Sequence, residues 1–149
     1  MTILLSAQVF DPWQAIVNYQ QQQMPQGKYG ATSVFVGTMR DFNQGDSVTG
    51  MFLEHYPGMT EKQLLHIVTE AEQQWHIMDV LLMHRVGEVV PDDTLVLVAV
   101  WAAHRGDAFD ACRFMMENLK SRAPFWKKET LASGQQRWVE KNSEGYQAS

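Results

Sequence analysis

The longest uninterrupted apolar stretch in the chain, residues 95–103, begins just after the turn signal Pro91-Asp92-Asp93 and runs straight into His104-Arg105-Gly106. Such a run covers about half of what a helix needs to cross a bilayer. Its Val and Trp content instead predicts a strand over 94–103. A second apolar run at 80–83 lies across the turn signal, so the two are expected to form a hairpin. Upstream, the β-branched and aromatic run 32–36 ends in Gly37-Thr38-Met39-Arg40, which delivers an arginine into a polar loop, 41–47. A strand over 48–56 follows and is stopped by Pro57-Gly58. Residues 3–5 and 137–140 read as short strands at either end. Asp11 as N-cap with Pro12 at the first helical position announces one helix, which frays at Gln20 to Gln23. Thr60 and Gln63 have capping-box spacing, and Leu64, Val68, Ala71 and Trp75 recur on one face of a second helix. Asp107 is placed to cap a third, with Ala108, Cys112, Met115 and Leu119 three or four apart and Pro124 at its end. Strands in neighbouring hairpins with helices between them predict an α+β fold with a largely antiparallel or mixed sheet.

A length of 149 residues and 45% hydrophobic composition suit one domain with its own core. The opening ten residues lack the charged start of a signal peptide, and the single cysteine excludes an internal disulfide and any multi-cysteine metal site. A cytoplasmic protein is expected. The net charge of −5 disfavours nucleic acid and anionic membrane as partners. The distribution says more: six of the twelve Lys and Arg fall between residues 104 and 128, against three acidic residues there. This local excess of +3 builds either an anion site or a solvated face.

Two segments carry candidate chemistry. His104 and Arg105 stand at a strand-to-helix junction, where unpaired amides and the helix dipole favour an anion, although an ordinary polar loop has the same composition. In Lys120-Ser121-Arg122-Ala123-Pro124-Phe125-Trp126-Lys127-Lys128-Glu129 cations alternate with a rigid proline and large aromatics, and Lys120 and Lys127 bracket a turn. The bland alternative is a helix C-terminus decorated with cations. If the cluster is partly buried, each cation depresses its neighbours' lysine pKa, and one ammonium can exchange a proton near neutrality. The same groups could grip a phosphate. Cys112 lies on the apolar stripe of its helix and is expected to be buried and inert. His55, His66, His76 and His84 show no metal-ligand spacing.

Taken together, Val36-Gly37-Thr38-Met39-Arg40, Leu53-Glu54-His55-Tyr56-Pro57-Gly58-Met59, His84-Arg85-Val86-Gly87-Glu88, Ala103-His104-Arg105 and the segment from Leu119 to Glu129 resemble the molybdopterin synthase catalytic (large) subunit family in order and spacing. The resemblance runs from about residue 31 to 140. It implies a single domain over 1–149 with a flexible tail from about 142, built as an α/β-hammerhead core with an additional small antiparallel sheet. It also implies a sulfurtransferase without a cofactor or metal of its own. Two large subunits would pair as a central homodimer in a heterotetramer, and a small ubiquitin-like sulfur carrier would insert a thiocarboxylated Gly-Gly tail at each end. The acceptor would be cyclic pyranopterin monophosphate and the product the dithiolene of molybdopterin. By motif, Lys120 and Lys127 are the expected catalytic residues. Arg40, His104, Arg105, Lys128 and Glu129 join them as expected substrate-binding residues. Either Arg137 or Lys141 would reach a neighbouring subunit. The competing readings are an anion-binding scaffold and a sulfurtransferase that uses Cys112 as nucleophile.

Overall fold

The computed structural model describes residues 1–139 of the chain. In order they form β1 (Thr2–Ser6), α1 (Pro12–Gln23), β2 (Ala31–Thr38), β3 (Phe42–Asn43), β4 (Asp46–His55), α2 (Met59–Gln74), β5 (Ile77–Arg85), β6 (Gly87–Val89), β7 (Thr94–Ala102), α3 (Arg105–Arg122), β8 (Phe125–Leu131) and β9 (Gln136–Trp138). The expected mixed α+β architecture is present as two sheets. The flexible tail expected from about residue 142, the strand end at Glu140 and the role held open for Lys141 lie outside the described residues. Among those described, no helix is long and apolar enough to cross a membrane.

The first sheet has the order β1-β5-β7-β2, with β1 parallel to β5 and the other pairs antiparallel. Its central strand explains the long apolar run. Val96, Val98 and Val100 pack against Leu64, Ile67 and Val68 of α2 and Ala111, Cys112 and Met115 of α3. The alternate residues Leu97, Ala99 and Trp101 face α1, with Tyr19 stacked on Trp101 at 5.2 Å and Gln20 accepting from the indole N–H at 3.1 Å. With helices on both faces there is no solvent side, so β7 has no polar alternation.

The second sheet, in the order β3-β4-β8-β9 with β6 also on β4, encloses a smaller core of Met39, Val48, Met51, Leu53, Val89 and Leu131. Several local expectations are corrected here. The polar loop 41–47 is a tight hairpin: Asn43 pairs with Asp46, and Gln44 and Gly45 between them have φ of 53° and 81°. Two positive-φ residues in a two-residue loop suit the twist of the flanking strands. The expected 80–83 to 94–103 hairpin exists as β5 and β7, but β6 is inserted between them and crosses to the other sheet. Phe125 to Leu131, read as the end of a helix and a turn, is a strand.

Two caps also differ. Asp11 Oδ1 does accept from the Trp13 and Gln14 amides at 3.0 and 3.2 Å. At α2, however, Gly58 is the N-cap and its amide donates to Glu61 Oε2 at 2.6 Å. Thr60 is fully buried; its hydroxyl accepts from the Tyr56 amide and donates to the Pro124 carbonyl, each at 3.0 Å. At α3 the N-cap is His104, which makes no side-chain capping bond, and Asp107 sits in the first turn, where its charge complements the dipole.

Candidate active site

The end of β2 aims the first cation. A register shift between Gly37 and Thr38 ends the ladder with β7, and a Cβ on Gly37 would meet Val96 Cγ1 at 2.7 Å. Only glycine lets the strands meet there. Met39 is then held by main-chain bonds to the β6–β7 turn, donating to Asp93 O at 2.9 Å and accepting from the Asp92 amide at 3.0 Å. Arg40 leaves this fixed point with its guanidinium 4.8 Å from the ring centre of Phe42.

The lysine pair is built by a reversal of the chain. Lys120 lies in the last turn of α3, the helix ends at Ala123, and Pro124 turns the backbone so that β8 returns Lys127 beside Lys120. Lys120 acts directly on its neighbour there, and the Lys127 ammonium is brought down to about 8. Burial is the largest cause, followed by the Lys120 charge, with Arg40 adding to it and Glu129 opposing. Lys127 is therefore the group placed to exchange a proton near neutrality.

Arg40, Lys120 and Lys127 line one cavity of about 270 Å³, together with His84, Glu129, Asn43 and the apolar residues Phe35, Met51, Leu53 and Leu95. His84 and Asn43 carried no site signal in the sequence. The His84 ring stacks on Phe125 at 3.9 Å and 11°, and its Nδ1 lies 2.7 Å from the Arg85 carbonyl. A carbonyl only accepts, so Nδ1 bears the proton and Nε2 is an acceptor. Burial lowers this imidazole to about 3, so it is neutral at physiological pH. It contributes shape and a lone pair, not a fourth positive charge.

Three of the other expected residues, His104, Arg105 and Lys128, lie elsewhere. His104 and Arg105 stand at the opposite end of α3 from Lys120, separated by fifteen residues or about 22 Å of helical rise. Lys128 does not line the cavity; its ammonium lies 5.6 Å from the ring of Trp138. Glu129 does line it, but its oxygens are engaged by Asn43 and Arg137. Arg137 is committed within its own chain, to Glu129, Asp46 and the Asn43 carbonyl. Cys112 is buried among the α3 core residues, and burial pushes its thiol up, as its place on the apolar stripe predicts. Among the described residues no group of three or more His, Cys, Asp or Glu is placed to hold a metal ion.

Residues 6–122 match the family described as MoaE protein. The chain is 49% identical over 140 residues to the molybdopterin synthase catalytic subunit of Pseudomonas aeruginosa, covering 94% of this chain and 91% of that protein. It is 58% identical over 111 residues to that of Ralstonia nicotianae, covering 74% of this chain but 62% of that longer relative. The fold is similar to that of the molybdopterin biosynthesis MoaE protein from Burkholderia ambifaria, with a TM-score of 0.77, 45% identity and coverage of 97% and 93% of the two chains.

Proposed function

The chain belongs to the MoaE protein family, and from that premise we propose that it is the catalytic subunit of a molybdopterin synthase acting in the cytoplasm. It would move sulfur from the thiocarboxylated tail of a small ubiquitin-like carrier to cyclic pyranopterin monophosphate. The observation that carries this reading is the convergence of Arg40, Lys120 and Lys127, from two well-separated parts of the sequence, on one cavity with apolar walls. That arrangement suits an anionic ring system meeting an anionic sulfur donor, two ligands that repel each other unless cations stand between them.

In this reading Arg40 grips the phosphate in a bidentate fashion. Lys120 pairs with the incoming thiocarboxylate. Proton transfer fits Lys127, because burial and its cationic neighbours bring it down to about 8. Sulfur attacks a carbon of the pterin side chain, the lysine pair manages the proton on the oxygen released there, and water then cleaves the thioester so that the carrier leaves as a carboxylate. Two such transfers complete the dithiolene. Glu129 is a wall of the pocket, not a substrate ligand, since its oxygens are already engaged. His104 and Arg105 cannot reach a pterin held at Lys120 of the same chain, so a role for them on that substrate requires a second copy, in keeping with a central homodimer.

The test mixes the chain with the precursor and purified thiocarboxylated carrier and follows product by mass. Product should form with the parent and with Cys112→Ser, and fall by about 10²-fold or more with Lys120→Ala or Lys127→Ala. Near-parent turnover in both lysine variants would end this reading.

A further inference from the structure

Glu129 stands two residues beyond Lys127 on β8 and is 5% exposed beside the cations of the cavity. Among the described residues, however, no ion pair joins it to Lys127. Its oxygens are engaged by other groups. Asn43 Nδ2 donates to both, at 3.2 and 3.1 Å, and Arg137 Nε donates to Oε1 at 3.1 Å. Arg137 lies directly opposite Glu129 in the β8–β9 ladder. Its remaining nitrogens are fixed by two anchors: Nη1 donates to Asp46 Oδ2 at 2.8 Å and Nη2 to the Asn43 carbonyl at 2.9 Å. A planar guanidinium tied at two corners has little freedom at the third.

We propose that Arg137 is a positioning residue for Lys127: anchored by Asp46 and Asn43, it holds the Glu129 carboxylate away from the lysine, so that Lys127 works without an ion pair to Glu129. The inference rests on the reading of Lys127 as the proton-transfer group. In a cavity partly shielded from water, a loose carboxylate would pair with the ammonium, and a lysine so paired neither yields its proton readily nor exchanges that partner for a thiocarboxylate. The groups acting on Lys127 are Lys120 from α3, Arg40 from the link after β2, and Glu129 from its own strand. Lys120 and Arg40 drive the proton off and Glu129 retains it. His84 from β5 is uncharged at neutral pH, and Arg137 from β9 and Asp46 from β4 act on Lys127 through Glu129.

Two readouts on the full chain separate this proposal from the reading beneath it. Lys127 is titrated directly, by the pH dependence of its acetylation measured by peptide mass. Turnover with thiocarboxylated carrier is followed over the same pH range. Arg137→Gln should raise the Lys127 midpoint by about one pH unit and move the lysine-dependent limb of the pH–rate profile with it. Adding Glu129→Gln should return the midpoint to the parent value or below. Arg137→Lys, a cation without the fork, should fall between the parent and Arg137→Gln, and carries the test if the latter does not fold. An unchanged midpoint in the folded variant, or a rise that Glu129→Gln does not reverse, overturns the proposal. If the midpoint moves as expected while the activity profile stays put, Arg137 keeps its role and the proton-transfer role of Lys127 falls.

Discussion

The two sheets of this protein obey opposite rules. In the first, β7 buries apolar side chains on both faces between α1 on one side and α2 and α3 on the other. In the second, Lys127 and Glu129 of β8 line a cavity, while Phe52, Trp126 and Trp138 are 40%, 47% and 51% exposed. Hydrophobic burial makes the first sheet a rigid frame. The second departs from that pattern where the cations gather, and its buried carboxylate, Glu129, is held by Asn43 and Arg137. The difference teaches that stability and chemistry are drawn from separate parts of the same chain, and that substitutions should separate them.

The sharpest separation is expected at Lys127. Replacing it by methionine should lower turnover by about 10² to 10⁴-fold. The same change should raise stability in urea at pH 7 by about 1 kcal/mol, because it removes a cation that burial disfavours. A loss of stability instead would mean that the second sheet depends on this charge for its fold. In the frame, Trp101→Ala should cost about 3–5 kcal/mol in urea unfolding, leaving the Lys127 midpoint unmoved in whatever protein remains folded. A shifted midpoint would show that the two sheets are not independent.

His84 bridges the comparison and supplies a pH dependence. The folded chain keeps this ring neutral down to about 3, whereas the unfolded chain takes up a proton near the ordinary value of 6.5. Stability is therefore lost as pH falls through that interval, by about 2 kcal/mol between pH 7 and pH 5. Urea unfolding at the two pH values should show the decline, and His84→Leu should flatten it; an equal decline in that variant would assign it to other groups. The smallest effect is expected at the first helix, where Asp11→Ala should cost about 1 kcal/mol by loss of the two amide bonds to Oδ1, with turnover unchanged at a temperature where the variant is folded.

The same division governs what could be read from the sequence. Residues 95–103 announce their strand because burial on both faces leaves no polar position, and the stripe from Ala108 to Leu119 announces α3 because only one face is buried. The strand β8 escapes detection because inward positions 127 and 129 carry the charges of the site, the reverse of the apolar-in pattern on which strand reading depends. The β3–β4 hairpin is missed because Gln44-Gly45 occupies a turn usually marked by Asn-Gly. Arg40, Lys120 and Lys127 are legible by motif, and the structure brings them together. His84 falls within a matching segment that assigns it no role, because a neutral acceptor on a strand has no spacing signature, and Asn43, an amide in a two-residue strand, lies outside every such segment.

Thr60 joins the opening of α2 to the bend after α3 through one oxygen, which receives one bond and gives another. Valine would occupy nearly the same space and forfeit both links, leaving an amide and a carbonyl to find water or go without. At that site the tolerance of the molecule is set by lone pairs and protons and not by bulk, and two side chains of equal size would have unequal fates.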